Sequence, residues 1–79
     1  MPYIEHKERQ KYDIQVAETP GQLNYQFTML IVEYMKKNGL SYQKINDVIG
    51  ALSACQAEFY RRVVIPYEDE KIKTNGDCY

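Results

Sequence analysis

The sequence has few of the residues that build metal, cofactor or disulfide sites. Its 79 residues include no tryptophan, one histidine and two cysteines. Cys55 lies in an apolar stretch and Cys78 lies next to the end, so with a single histidine they cannot assemble a zinc site. The opening segment, MPYIEHKERQ, has no apolar core of the kind that signal peptides carry. We therefore expect a protein of the reducing cytoplasm with no disulfide, no metal and no cofactor.

Long apolar runs, a strong net charge and common catalytic motifs are also missing. A membrane-spanning helix needs about 20 mostly apolar residues in a row, and the runs here are shorter and interrupted. Ten basic residues against eleven acidic ones give a formal charge of −1, which argues against a dedicated binder of duplex DNA. The chain has no glycine-rich phosphate loop, nucleophile elbow or zinc-protease motif. We therefore predict a protein that is not an enzyme and does not contact a membrane.

Tyrosine is the residue type that is present in excess. The sequence contains eight tyrosines against two phenylalanines. A tyrosine offers a large rigid surface with a polar tip, and it is enriched at interfaces. A single domain of this length buries only about 60% of its unfolded surface, so small folds usually need additional support. With disulfides and metals excluded, we expect that support to come from further copies of the chain, in a homo-oligomer.

Local signals predict an all-α fold that begins with an N-terminal arm, residues 1–18. Thr19 as N-cap, Pro20 at the first helical position and Gln22 at the third form a capping-box pattern. They predict a helix over residues 19–38, which ends at Asn38-Gly39. This helix is apolar nearly all round, with one stripe of Leu23, Phe27, Leu30, Ile31 and Tyr34 and a second of Tyr25, Met29, Val32 and Met35.

A second helix is predicted over residues 41–65, with Ser41 as N-cap and Pro66 as its end or kink. Its apolar residues recur every three or four positions, at Ile45, Val48, Ile49, Leu52, Cys55, Phe59, Tyr60 and Val63. Because the connection between the two helices is about three residues long, we expect an antiparallel helical hairpin. A short helix over residues 66–75 and a tail, residues 76–79, complete the single domain, residues 1–79.

Small residues in the second helix suggest where copies of the chain meet. Gly50, Ala54 and Ala57 share a face and would let another helix backbone approach closely. Gly50 costs roughly 1 kcal/mol against alanine in a helix interior, and close packing would offset that cost. We predict an oligomer interface that combines this face with the second stripe of the first helix: Gly50, Ala54, Ala57, Tyr25, Met29 and Val32.

The strongest candidate for a binding site is the run Tyr60, Arg61 and Arg62. Guanidinium groups bind phosphate through paired hydrogen bonds, and aromatic faces stack on bases. Tyr67 and Lys44 are weaker candidates for the same ligand-binding site. The alternative interpretation is that the two arginines are solvated and bond to Glu58 and to the acidic residues 68–70.

Three functions remain open on these residues. The first is sequestration of a small anionic ligand, such as a nucleotide signal, at Arg61, Arg62 and Tyr60. The second is a protein-interaction inhibitor or adaptor that binds a host protein through a tyrosine-rich surface. The third is a small DNA-binding regulator of the helix-turn-helix type, although the start of the second helix offers only Lys44 as a cation and base readout needs more.

Three segments resemble a family of short uncharacterised proteins that phages and bacteria encode. They are LNY at residues 23–25, SYQKINDVIGAL at residues 41–52, and EFYRRVVIPYEDEKIKTNGDCY at residues 58–79. The similarity extends roughly from Leu23 to the C-terminus, and the run FYRRVV-PYED is its most specific part. The family implies no activity. Its phage context implies a small binder that blocks or sequesters something, by analogy with other proteins of such genomes.

Overall fold

The computed structural model describes residues 4–7 and 15–79, and over these residues it contains helices and no strand. Helix α1 is Pro20–Asn38, α2 is Tyr42–Phe59 and α3 is Ile65–Asn75. A π-helical segment, Tyr60–Val64, joins α2 to α3 without a break. The predicted all-α class is therefore confirmed. Of the predicted arm, residues 1–3 and 8–14 lie outside the described residues.

The chain divides into two compact units, residues 1–48 and residues 49–79. The first contains α1 and the opening turns of α2, and the second contains the rest of α2, the π segment and α3. The second unit thus holds Tyr60, Arg61 and Arg62 of the predicted binding site.

Helix α1 begins and ends where its capping residues predict. The Gln22 backbone N–H donates to Thr19 Oγ1 at 3.2 Å, and the Gln22 side-chain oxygen accepts from the Glu18 N–H at 2.8 Å. This is a capping box whose return bond reaches one residue further back than usual. At the other end Gly39 adopts φ of 84°, which costs residues with a Cβ extra energy, and its N–H donates to the Met35 carbonyl at 2.8 Å.

The remaining helix ends follow the same chemistry. The Lys44 N–H donates to Ser41 Oγ at 3.2 Å, so Ser41 caps α2 as predicted. Helix α3 stops before Gly76, which has φ of 88° and donates its N–H to the Ile72 carbonyl at 2.8 Å. Short-range side-chain and backbone chemistry thus accounts for these ends.

Pro66 does not end the second helix, and the π segment shows why. A proline inside an α-helix has no N–H to donate, and its ring collides with the carbonyl four residues earlier, here that of Arg62. In the structure the backbone widens just before the proline, so that the Ile65 N–H donates to the carbonyl of Tyr60, five residues back. The wider turn makes room for the ring, and α-helix continues from Ile65 to Asn75.

No described side chain is buried, in α1 or elsewhere. The π segment and α3, which follow each other along the chain, contact each other. The antiparallel hairpin of the two long helices stays a prediction, because α1 and most of α2 belong to different units. Among the described helices, none has the length and apolar character that crossing a bilayer requires.

Candidate functional site

The predicted arginine site is built on one carboxylate, that of Glu58. Arg61 donates from Nε to Oε1 at 3.1 Å and from Nη2 to Oε2 at 2.9 Å, which is a two-pronged ion pair. Arg62 donates from Nε to the same Oε2 at 2.9 Å. The predicted pairing of Glu58 with Arg62 is therefore present, and Arg61 is gathered to the same group. We call Glu58, Arg61 and Arg62 the Glu-Arg-Arg cluster.

Helical spacing places both arginines beside this carboxylate. Glu58 lies in the last turn of α2, and Arg61 and Arg62 follow three and four residues later, at the start of the widened turn. Side chains three and four positions apart lie next to each other on a helix surface. Wide turns of this type recur at functional sites, because they change the direction of the side chains they carry.

The Glu-Arg-Arg cluster combines a sheltered anion with exposed cations. The Glu58 side chain is 26% exposed, whereas those of Arg61 and Arg62 are 62% and 61% exposed. Exposed ion pairs stabilise a fold by about 0.2–1 kcal/mol each, so the cluster is a weak contributor to stability. One carboxylate offsets one of the two guanidinium charges, and these three side chains together keep one positive charge. Solvent, and hence a dissolved anion, can reach both guanidinium groups.

The two tyrosines of the predicted site have different surroundings. Tyr60 lies in the π segment directly before the arginines, and about half of its surface is exposed. Tyr67, in α3, is exposed and has the Lys71 ammonium group 5.5 Å from the centre of its ring. This contact is a cation–π interaction within one turn of α3. The spacing of four residues was the available sequence signal for it, and our sequence interpretation did not use it.

Lys44, the fifth predicted binding residue, belongs to residues 1–48 and not to the unit that holds the Glu-Arg-Arg cluster. Its backbone N–H takes part in the Ser41 cap. Of the acidic residues 68–70, Glu70 pairs with Lys73 at 3.4 Å. The bonds of both arginines to Glu58 are those that the alternative interpretation of the sequence predicted.

The predicted oligomer-interface residues all reach the surface of the single chain. Gly50 and Ala57 are exposed and Ala54 is half-buried, while on α1 Tyr25 is exposed and Met29 and Val32 are half-buried. A Cβ added at Gly50 would meet nothing within 4 Å. Among the residues that the structure describes, therefore, no close contact requires this glycine.

A depression lies beside the first turns of α1. Residues 15–18 pass along the helix, and the Gln26 side-chain nitrogen donates to the Gln15 carbonyl at 2.6 Å. Gln26 Oε1 is shielded from solvent and has no hydrogen-bond partner among the described residues. Over the described part of the chain, no three histidine, cysteine or carboxylate side chains are grouped so that they could hold a metal ion.

Residues 1–78 match the model of a protein family described as a domain of unknown function (DUF6899), and the chain belongs to that family. The match begins at the first residue, so the likeness extends beyond the part after Leu23 that the sequence motifs indicate. No curated protein and no solved structure is significantly similar to the chain.

Proposed function

We propose that this member of an uncharacterised family is a non-enzymatic cytoplasmic binding protein that sequesters a small anionic ligand, such as a nucleotide signal. Arg61 and Arg62 bind the anion, Tyr60 stacks on the attached ring, and Tyr67 and Lys44 contribute at the margin. The observation that supports this most is the Glu-Arg-Arg cluster, in which two exposed guanidinium groups are gathered on one carboxylate. If phages encode the chain, such sequestration would be of the anti-defence type.

The geometry suits an anion for two reasons. A guanidinium group is planar, permanently charged and able to donate two parallel hydrogen bonds to a phosphate. Holding a long flexible side chain in place costs about 0.5–1.5 kcal/mol on binding, and Glu58 has already restricted both arginines. Tyr60 is the neighbouring residue and its exposed ring offers a face for a base.

The protein acts as a homo-oligomer of antiparallel helical hairpins in this proposal. Gly50, Ala54 and Ala57 of one copy pack against Tyr25, Met29 and Val32 of another. The support is that no described apolar residue is fully buried, since the burial of apolar surface is the main term that stabilises a fold. Assembly also repeats the Glu-Arg-Arg cluster, and several clusters near one another attract an anion more strongly than one does.

The test is a thermal-shift and calorimetric screen of the whole protein against a panel of nucleotides. A ligand that binds only the folded state at 100 times its Kd stabilises that state by about 2.7 kcal/mol. The double variant Arg61→Ala and Arg62→Ala should lose the shift and keep its helical circular dichroism. The matched control is Lys36→Ala with Lys37→Ala, which also removes two exposed cations and one weak ion pair, Glu33–Lys36 at 3.6 Å. Equal loss in both double variants would contradict a specific arginine site.

A second function, inhibition or bridging of a host protein, is favoured by the exposure of the tyrosines. Tyr25, Tyr42, Tyr60, Tyr67 and Tyr79 are all more than half exposed. Tyrosines at this density are typical of protein–protein contact surfaces. Two results together would favour this function: no nucleotide shifts the unfolding temperature, and the purified protein co-migrates with a defined host protein. Retention on DNA that falls steeply with salt would favour the DNA-binding regulator instead.

A further inference from the structure

The two arginines of the Glu-Arg-Arg cluster bond to Glu58 in different ways. Arg61 donates from Nε and from Nη2 to separate carboxylate oxygens, at 3.1 and 2.9 Å. This paired arrangement is the strongest that arginine and a carboxylate form. Arg62 donates once, from Nε at 2.9 Å, to the Oε2 atom that already accepts from Arg61. The carboxylate of Glu58 is therefore matched mainly to Arg61.

This unequal bonding leaves donors at Arg62 and not only charge. A guanidinium group donates from Nε and from its two Nη groups. Among the residues that the structure describes, nothing accepts a hydrogen bond from the Nη groups of Arg62, whose one bond uses Nε. The two Nη groups form the end edge of the guanidinium group, which can donate two parallel bonds to two oxygens of one phosphate. Arg62 therefore still presents the edge that captures a phosphate.

The charges of the Glu-Arg-Arg cluster divide in the same way. Glu58 carries one negative charge and lies in a two-pronged ion pair with Arg61, so these two side chains offset each other. The positive charge that remains lies at Arg62. The arrangement depends only on the local helix, because Arg61 and Arg62 follow Glu58 by three and four residues, and side chains at those spacings are neighbours on any helix.

We propose that Arg62 is the residue that contacts the anion, and that Arg61 is a positioning residue, which occupies Glu58 and keeps this carboxylate from neutralising Arg62. The inference rests on the proposed anion-binding function and assigns different roles to the two arginines of that site. Without Arg61, both oxygens of Glu58 would be available to Arg62, and the carboxylate would compete with the anion for the same donors. The ligand group that fits is one that faces a single guanidinium edge with two oxygens, as a phosphate does.

Two lysine variants of the full chain, which conserve charge, form a matched pair in calorimetric titrations with adenosine monophosphate (AMP) at fixed salt. Arg62→Lys cannot donate two parallel bonds, so the Kd for AMP should rise at least about tenfold, the scale of a hydrogen bond to a charged group. Arg61→Lys still forms an ion pair with Glu58 and should raise the Kd less, by under about fivefold, the scale of an exposed ion pair. Circular dichroism checks that both variants are folded.

A rescue experiment tests the positioning role of Arg61. Arg61→Ala should raise the Kd for AMP at least about tenfold, because Glu58 then pairs with Arg62. Adding Glu58→Gln to Arg61→Ala should recover most of that loss at the same salt, since the competing carboxylate is gone. A role of Arg61 in folding alone predicts no such recovery. Adding Glu70→Gln instead makes the same charge change at the carboxylate paired with Lys73, and it should recover little.

The outcomes separate this inference from the function on which it rests. Equal increases of the Kd in the two lysine variants would overturn the division of roles and leave the proposed anion site intact. A folded double variant, Arg61→Ala with Glu58→Gln, that binds AMP no better than Arg61→Ala would do the same. A wild-type protein that binds neither AMP nor inorganic phosphate would overturn the anion site and this inference together.

Discussion

Helix α1 and the stretch from α2 through α3 differ in the regularity of their helical backbone. Helix α1 has a capping box at its start, a positive-φ glycine after its end and regular backbone between them. The second stretch contains a proline, accommodates it with a widened turn, and carries the Glu-Arg-Arg cluster in that turn. In the proposed function, α1 contributes apolar side chains to assembly, whereas the widened turn of the second stretch contributes the charged side chains that bind the anion.

The difference shows what a proline inside a helix can do. Pro20 occupies the first turn of α1, where the missing N–H costs nothing. Pro66 lies one residue after the π segment, so its ring requires the wide turn that also holds Tyr60, Arg61 and Arg62. We infer that the proline shapes the proposed site without touching a ligand itself.

Pro66→Ala is the substitution with the largest expected effect. It should remove the widened turn that distinguishes the second stretch from α1. Proline costs about 3 kcal/mol against alanine in a helix interior, and the wide turn already relieves part of that cost. We expect the variant to be more stable by about 1–3 kcal/mol, with the Ile65 N–H bonded four residues back instead of five. Urea denaturation at fixed protein concentration and amide exchange at Ile65 measure both effects.

Pro20→Ala is the control for this prediction. Pro20 lies at the first helical position, where its ring is compatible with the helix, so its replacement should lower stability slightly or not at all. A Pro66→Ala variant that keeps the wide turn and the wild-type stability would show that the turn has another cause than the proline.

Thr19→Ala tests the capped start that distinguishes α1. It removes the bond from the Gln22 N–H to Thr19 Oγ1, and loss of such a cap costs about 1 kcal/mol. Ser41→Ala removes the corresponding bond from the Lys44 N–H at the start of α2 and is the matched variant. We expect similar losses in thermal or urea unfolding. A Thr19→Ala protein as stable as the wild type would mean that packing, and not the cap, determines where α1 begins.

Two glycine substitutions should move stability in opposite directions. Gly39→Ala forces a Cβ into φ of 84° and should cost about 1 kcal/mol or more. Gly50→Ala adds a Cβ within α2 that meets no described residue within 4 Å, and it should gain up to about 1 kcal/mol in helix stability. If copies pack at Gly50 as proposed, the same change should weaken assembly. Unfolding at several protein concentrations separates the two contributions of Gly50→Ala.

These elements also show how far the sequence could go. Helix starts and stops were predictable from residues 19–22, Ser41 and the two positive-φ glycines, because capping is chemistry between near neighbours. The behaviour at Pro66 was not predictable, because an end, a kink and a widened turn all relieve the same clash. Of the arginine site, the bonds of Arg61 and Arg62 to Glu58 followed from helical spacing, whereas the contact of Lys71 with the Tyr67 ring was missed. A stripe pattern alone could not predict what packs against α1. It indicates that an apolar face has to be buried, and not whether the same chain or another copy buries it.

Glu58→Gln should have the smallest effect on stability, and it tests the Glu-Arg-Arg cluster most directly. It keeps the size of the side chain and removes the charge that both arginines share. It should therefore lower the free energy of unfolding by no more than about 1 kcal/mol, because both guanidinium groups are largely exposed.

The expected effect of Glu58→Gln on nucleotide binding is larger and has two opposing parts. The variant loses the restraint on the arginines, which weakens binding, and gains one unit of positive charge, which strengthens it. Salt distinguishes them, because screening acts on the charge and not on the restraint. We expect binding of a nucleotide to be weaker than in the wild type at high salt and to recover as salt is lowered. Glu70→Gln, which removes the carboxylate paired with Lys73, makes the same charge change outside the cluster. An identical salt response in the two variants would show that Glu58 acts only through the net charge of the protein and does not position the arginines.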